Sequence, residues 1–286
     1  VKSNDSSSYI RRINQHYAQE GLGQVSIAAV KDALRDTNGL TVERMLTFDQ
    51  LHIGGRSASL RLARQARLSS IEKVLDAGCG LGGSSRLLAR YFGSQVFGMD
   101  LTAPFCRLAH RLSRTANLDG LTFFLRADLN RLPVREGTFD VVWAQHILMN
   151  VREKGRLLSE FARILKPSGR LLVHEVVKGD NQPVHYPVPW AADASLNYLC
   201  SAASLESKLH RAQFHIGTLQ DESASALAWF AKRALSAVPE RVLPPQAPEN
   251  ANRRNAALIR GNVWHNLKEN RIRVVQGVFQ LADPTP

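Results

Sequence analysis

The stretch from Lys73 to Arg90, "KVLDAGCGLGGSSRLLAR", constrains this chain more than any other. A short apolar run leads into a glycine-rich loop, and a helical pattern follows. Gly78, Gly80 and Gly83 fit G-x-G-x-x-G, the spacing of nucleotide-type binding loops. Glycine permits the tight turn and lets backbone approach a ligand closely. The helix behind it presents free N–H groups and a positive dipole end to an anionic group. In a dinucleotide enzyme that group is a pyrophosphate; a carboxylate serves the same geometry. Asp100, closing the next apolar run "QVFGMDL", suits a ribose diol in either case.

The flanking pattern predicts an α/β chain. To about Ser70 the spacing is helical. Ile10, Ile13 and Tyr17 share one face, as do Val25, Ala29 and Ala33, and Thr41 is placed to cap "TVERMLTFDQL". "HIGG" interrupts this, and "RSASLRLARQARL" resumes it. From Lys73 strands alternate with helices: "KVLDAG", "QVFGMDL", "LTFFLRA", "FDVVWAQH" and, after a "KPSG" turn, "RLLVHEVV". These strands are apolar on both faces, as a parallel sheet covered by helices requires. "NQPVHYPVPWA" reads as a structured loop. "AASLESKLHRAQF" and Ser223 to Ala237 read as helices, with "HIGTLQDE" a sixth strand between them. "VPERVLPPQAPEN" reads as a proline-rich connection, Asn252 to Glu269 as a helix, and "RIRVVQGVFQLA" as the last strand.

Composition narrows the classes. A hydrophobic fraction of 44% and a charged fraction of 22% are those of a globular protein. No apolar run approaches the roughly 18 residues that span a bilayer. The opening "VKSNDSSSYIRR" lacks the apolar core of a signal peptide. It also lacks an initiator Met, which points to a processed or trimmed chain. Cys79, Cys106 and Cys200 are scattered without zinc spacing, so no metal site is expected and a reduced, cytoplasmic setting is. The net charge of +12 permits nucleic-acid or anionic partners, but the Lys and Arg residues are spread along the chain as on a solvated basic surface.

Three features separate the possible ligands. Asp76 lies two residues before the first glycine, where it repels a pyrophosphate and attracts an ammonium group. "ADLN" places Asp128 at the same sheet edge as Asp100, where a carboxylate can accept from an adenine amino group. "GTFDVVWAQH" then leads into a helix ending "ILKPSGRLL". This combination resembles the class I S-adenosylmethionine (SAM)-dependent methyltransferases over nearly the whole chain. It is most similar to a small-molecule group that includes the sarcosine/dimethylglycine and phosphoethanolamine N-methyltransferases. "FDQLHIGGRSASLRLA", "VLDAGCGLGGSSRLLA", "FGMDL", "FDVVWAQHILMNV" and "LKPSGR" carry the resemblance, with "HYPVPWA" and "NLKENRIRVVQGVF" adding to it.

The resemblance implies a Rossmann-like sheet of seven strands, mostly parallel, with an antiparallel last strand. It implies a helical lid over residues 1–70 and a SAM-binding domain over 71–286, with acceptor-site insertions at about 178–203 and 223–269. Asp76, Gly78, Gly80 and Gly82 would cradle the methionine end. Asp100 would bind the ribose, with Leu101, Asp128 and Leu129 about the adenine. Gln145 would lie near the methionine carboxylate. Gly54 and Gly55 would let the lid pass close, with Tyr17 a lid contact.

Methyl transfer needs an acceptor lone pair aligned at roughly 3 Å, exclusion of water, and often a base. His146, His174, Glu175 and His185 are candidate bases. Tyr186 and Trp190 are candidates to line an acceptor pocket. Several relatives carry a catalytic His a few residues after strand four; Asn150 stands here, preceded by Met149, and neither is a base. A small-molecule acceptor methylated at N, O or C is therefore expected, as in natural-product biosynthesis, by a monomer or homodimer. Two alternatives stay open: a non-methylating reaction such as cyclisation or decarboxylation on the same fold, and RNA methylation, for which no separate RNA-binding module is visible. A NAD dehydrogenase is set aside, because the later strands carry no second nucleotide half.

Overall fold

The apolar run that opens the glycine stretch becomes the third strand of a seven-stranded sheet. The computed structural model describes residues 3–19, 27, 30, 31, 34, 35, 40–235 and 248–282. Helices α1 (Ser3–Gln19), α2 (Val42–Met45) and α3 (Gly55–Gln65) precede the sheet. Then follow β1 (Lys73–Ala77), α4 (Gly83–Phe92), β2 (Gln95–Asp100), α5 (Ala103–Thr115), β3 (Thr122–Arg126), β4 (Phe139–Gln145), α6 (Lys154–Ile164) and β5 (Leu165–Lys178). The chain closes with α7 (Ala202–Arg211), β6 (Phe214–Asp221), α8 (Ser223–Leu235), α9 (Pro248–Lys268) and β7 (Ile272–Leu281).

Strand order is β3-β2-β1-β4-β5-β7-β6. The first five strands are parallel, and β7 inserts antiparallel between β5 and β6. The order reverses between β1 and β4. At such a switch point the connections leave in opposite directions and open a crevice at the carboxyl ends of the strands. The expected seven-stranded α/β fold with an antiparallel last strand is the one observed.

Successive strand side chains point to opposite faces, and both faces are apolar because helices cover each. Val74, Val141, Trp143 and Leu172 pack with Leu62 and Leu87 of α3 and α4. Leu75, Val142, Leu171 and Val173 pack with Leu157, Phe161 and Leu209 of α6 and α7. Burial of each such side chain contributes about 1.5–3 kcal/mol, enough to make the sheet interior the dominant stabilising element. Ile13 of α1 packs with Ile53, Met149, Val184 and Trp190, so the N-terminal helix lies over the chain that follows β4 and β5.

Two local expectations change. "KPSG" is not a turn before the fifth strand but an interruption within it. Pairing jumps from Phe139–Leu165 to Val141–Arg170, so Lys166 to Gly169 loop out of the ladder. Pro167 has no N–H to give a ladder, and Ser168 sits at φ 58°. The proline-rich connection is shorter than expected, because Pro248, Glu249 and Asn250 already belong to α9. The helical face of Val25, Ala29 and Ala33 lies outside the described residues, as does the connection up to residue 247.

Candidate functional site

A cleft opens at the carboxyl ends of β1, β2 and β4, and the glycine loop forms its floor. Gly78 turns at φ 70°, and a Cβ there would stand 2.3 Å from Ile147 Cγ2. Gly80 turns at φ 52° and donates its N–H to Asp100 Oδ2 at 2.9 Å. Asp100 Oδ1 accepts from the Thr102 N–H at 2.7 Å. The carboxylate at the tip of β2 therefore holds the loop that follows β1. Burial pushes the carboxyl of Asp100 above its ordinary range.

Asp76 lies deeper and accepts from the Ser85 hydroxyl at 2.5 Å. Burial, with Asp100 nearby, raises its carboxyl to about 6. Asp128 lines the cleft beyond β3 and accepts from both the backbone and side-chain N–H groups of Asn130 at 2.9 Å. Leu101, Leu129 and Tyr17 also line it. At the end of β4, Gln145 Oε1 receives Trp143 Nε1 at 3.2 Å, Ser84 Oγ at 2.9 Å and Ser59 Oγ at 3.1 Å. The indole N–H can only donate, which fixes the amide orientation and leaves Gln145 Nε2 buried without a partner among the described residues.

His146, Met149, Asn150 and Trp190 line the other half of the cleft. Asn150 acts there as a clasp. Its Oδ1 accepts from the Tyr17 hydroxyl at 2.6 Å, its Nδ2 donates to the Trp190 carbonyl at 2.7 Å, and its backbone carbonyl accepts from the Tyr9 hydroxyl. Helix α1 and the proline-rich loop are thus fastened to one residue after β4. His146 stacks on His174 at 5.1 Å between centroids, and His52 lies about 6 Å from both. Burial lowers all three imidazoles, His52 to about 4 and His174 to about 3. They are neutral at pH 7.

Seven expected site residues, His174 among them, do not line this cleft. Gly54 and Gly55 start α3, with Gly54 facing a neighbouring crevice that His174 also lines. Gly82 packs beneath Phe124 and Arg86. Tyr186 accepts from Asn197 Nδ2 at 2.7 Å. His185 is half-exposed, pairs with Glu269 at 3.0 Å and lies outside the cleft lining.

Glu175 is turned the other way for a physical reason. Its Oε2 accepts from the N–H groups of Ile147 (2.9 Å) and Leu148 (2.6 Å), and its Oε1 from that of Val176 (2.8 Å). It holds the chain after β4 in shape, and burial outweighs those bonds to raise its carboxyl to about 7. Glu175→Ala strands three buried donors, each costing about 1–3 kcal/mol. Urea unfolding should show a loss of about 3 kcal/mol or more, with Glu175→Gln intermediate because its amide oxygen still accepts.

Sequence reasoning missed the group that ties the N-terminal segment to the loop. Arg86 and Asp49 are fully buried and pair at 2.6 Å. Arg86 also donates to the Leu81 carbonyl of the glycine loop at 2.6 Å and to that of Ala109 at 3.2 Å. Burial raises the Asp49 carboxyl in spite of the guanidinium. The only sequence signal was a basic residue on an otherwise apolar helix face.

Residues 75–173 match the family described as "Methyltransferase domain". The maize (Zea mays) phosphoethanolamine N-methyltransferase 1 is 29% identical over 51% of this chain and 29% of its own length. The aligned region spans less than half the length of the first curated relatives. Geranyl diphosphate C-methyltransferase from Streptomyces coelicolor A3(2) superposes with a TM-score of 0.66 at 20% identity, over 95% of this chain and 97% of that one. The [4+2]-cyclase SpnF superposes with a TM-score of 0.65 at 23% identity, over 80% and 81%. At these identities the structural likeness is one of fold.

Proposed function

We propose that this chain is a class I SAM-dependent methyltransferase and transfers the methyl group to a neutral, largely apolar small molecule. The observation that carries the reading is the set of carboxylates, Asp76, Asp100 and Asp128, around a glycine loop with the unpartnered Gln145 amide beside it. These residues fit a ligand that is cationic at one end and carries a carboxylate. A charge pair at 4 Å is worth about 4 kcal/mol at an effective dielectric constant near 20, so the same carboxylates that favour an ammonium and a sulfonium oppose a pyrophosphate.

Asp76 would face the ammonium and Gln145 Nε2 would donate to the methionine carboxylate. Asp100 would accept from the ribose hydroxyls. Leu101, Leu129 and Asp128 would enclose the adenine. Gly78 and Gly80 allow the close approach, while Gly54, Gly55 and Gly82 act only by letting α3 and α4 start where they do. When bound, SAM supplies a methyl group already activated on sulfur. The protein then has to align an acceptor and exclude water. Residues up to about 70 serve as the lid, clasped by Tyr17 on Asn150.

The acceptor half of the cleft favours an apolar partner. Ile10, Ile13, Ile53, Met149 and Trp190 form its wall, and no described Lys or Arg lines the cleft. A phosphate or diphosphate head, such as the names of two relatives indicate, would find no counter-charge among these residues. The test is incubation with methyl-deuterated SAM and a small-molecule extract, followed by mass spectrometry. A trideuteromethyl product formed together with S-adenosylhomocysteine is expected. A metabolite consumed with neither would support the second reading, a non-methylating reaction on the same fold. That reading is favoured by one observation: Asn150, where the family resemblance leads one to expect a catalytic His, is engaged as a clasp and supplies no base.

A further inference from the structure

The hydrogen-bond directions around His52 define its tautomer. Gln145 Oε1 is committed to accepting, because the indole N–H of Trp143 can only donate to it. Ser59 Oγ lies 3.1 Å from that oxygen, which already accepts from Trp143 and Ser84. The same hydroxyl lies 3.1 Å from His52 Nε2, where it can donate or accept. The Gly55 carbonyl, which can only accept, lies 3.1 Å from the same nitrogen. That carbonyl requires Nε2 to carry the hydrogen, and the Ser59 hydroxyl then faces an N–H. A neutral imidazole then has its lone pair on Nδ1. No described residue bonds to that atom, and His52 lines the cleft between Ile53 and Gln145.

We propose that His52 Nδ1 is the hydrogen-bond-accepting end of the acceptor site, and that it takes the O–H or N–H of a neutral molecule whose body lies against Ile13, Ile53, Met149 and Trp190. The proposal takes the apolar half of the cleft as the acceptor's, as in the reading above, and adds the class of group presented there: a hydroxyl, a neutral amine or a ring N–H. His146 does not compete for this role. Its Nε2 is buried without a partner among the described residues, and its ring stacks on His174. The burial that keeps His52 neutral near pH 7 preserves the lone pair. The absence of Lys and Arg from the described cleft lining disfavours an anionic alternative to the donor.

The test needs neither turnover nor the natural acceptor. Phenol, anisole and benzoate, each at millimolar concentration, are titrated into the full chain while the imidazole nitrogen resonances are followed by NMR. The unliganded spectrum should show His52 as the Nε2–H tautomer. Phenol should bind about fivefold or more tighter than anisole, as one neutral hydrogen bond implies, and shift His52 Nδ1. Benzoate should be the weakest. In His52→Phe, phenol and anisole should bind alike. If that variant does not fold, the wild-type comparison alone decides. A His52 with its proton on Nδ1, equal binding of phenol and anisole, a phenol shift confined to His146 and His174, or tighter binding of benzoate would each overturn the proposal. Because binding is read without SAM, failure to find methyl transfer leaves this outcome separate.

Discussion

Arg86→Leu will lower the stability of the folded chain by about 3–5 kcal/mol at pH 7, the typical cost of removing one partner from a buried ion pair. The Asp49 carboxylate would remain fully buried with no counter-charge. Three carbonyl and hydroxyl acceptors, on Leu81, Ala109 and Ser113, would lose their donor. The loss should shrink as pH falls, since Asp49 can then bury as the neutral acid. Combining Arg86→Leu with Asp49→Leu should recover a large part of the loss, because no isolated charge remains. Arg86→Lys should not rescue, since one ammonium cannot reproduce the planar fork that meets Asp49 and Leu81 together. Urea unfolding at pH 7 and pH 5 measures all of these. A loss under about 1 kcal/mol in the single variant would show that the pair is not the tie between the N-terminal segment and the glycine loop.

Asp76→Asn will separate stability from binding. Burial raises this carboxyl from its ordinary 3.8 to about 6. A folded state that holds the proton more tightly than the unfolded one gains stability from the group below pH 3.8 and loses it as pH rises through 6. At pH 7 the ligand-free protein therefore carries an ionisation cost of about 1–3 kcal/mol. Asparagine removes that cost and still accepts from the Ser85 hydroxyl, so the unliganded variant should melt higher. Its affinity for SAM should fall about 10- to 100-fold, the worth of one charge-assisted contact. Calorimetric titration adds a second readout. Wild-type affinity should decline as pH drops below about 6, and the variant should lack that decline. Unchanged affinity would remove Asp76 from the cofactor site.

Much of this architecture is legible in the chain itself. The glycine spacing, the apolar strands and Asp76, Asp100 and Asp128 at successive strand ends depend on local conformation and on a topology with few solutions. Gln145, His146, Met149, Asn150 and Trp190, expected at the cleft, do line it. The misreadings share one cause. Glu175 and His174 are neighbours on β5, and adjacent strand residues face opposite ways. Glu175 turns towards the Ile147 and Leu148 backbone, and His174 towards α3 and its crevice. Sequence can predict the alternation but not that neither of the two lines the cleft. His185 failed similarly, because its loop folds back on Glu269.

The sequence alone determined the class of fold and the glycine loop with carboxylates at the strand tips, because turns, strand periodicity and the residue at a strand tip are short-range properties. Only the tertiary structure decided which polar side chains face the cleft and which hold it together. Arg86 on Asp49, Asn150 between Tyr17 and Trp190, and the tautomer of His52 each depend on partners from distant segments. A buried polar group is defined by what satisfies it, and nothing local in the chain records that partner.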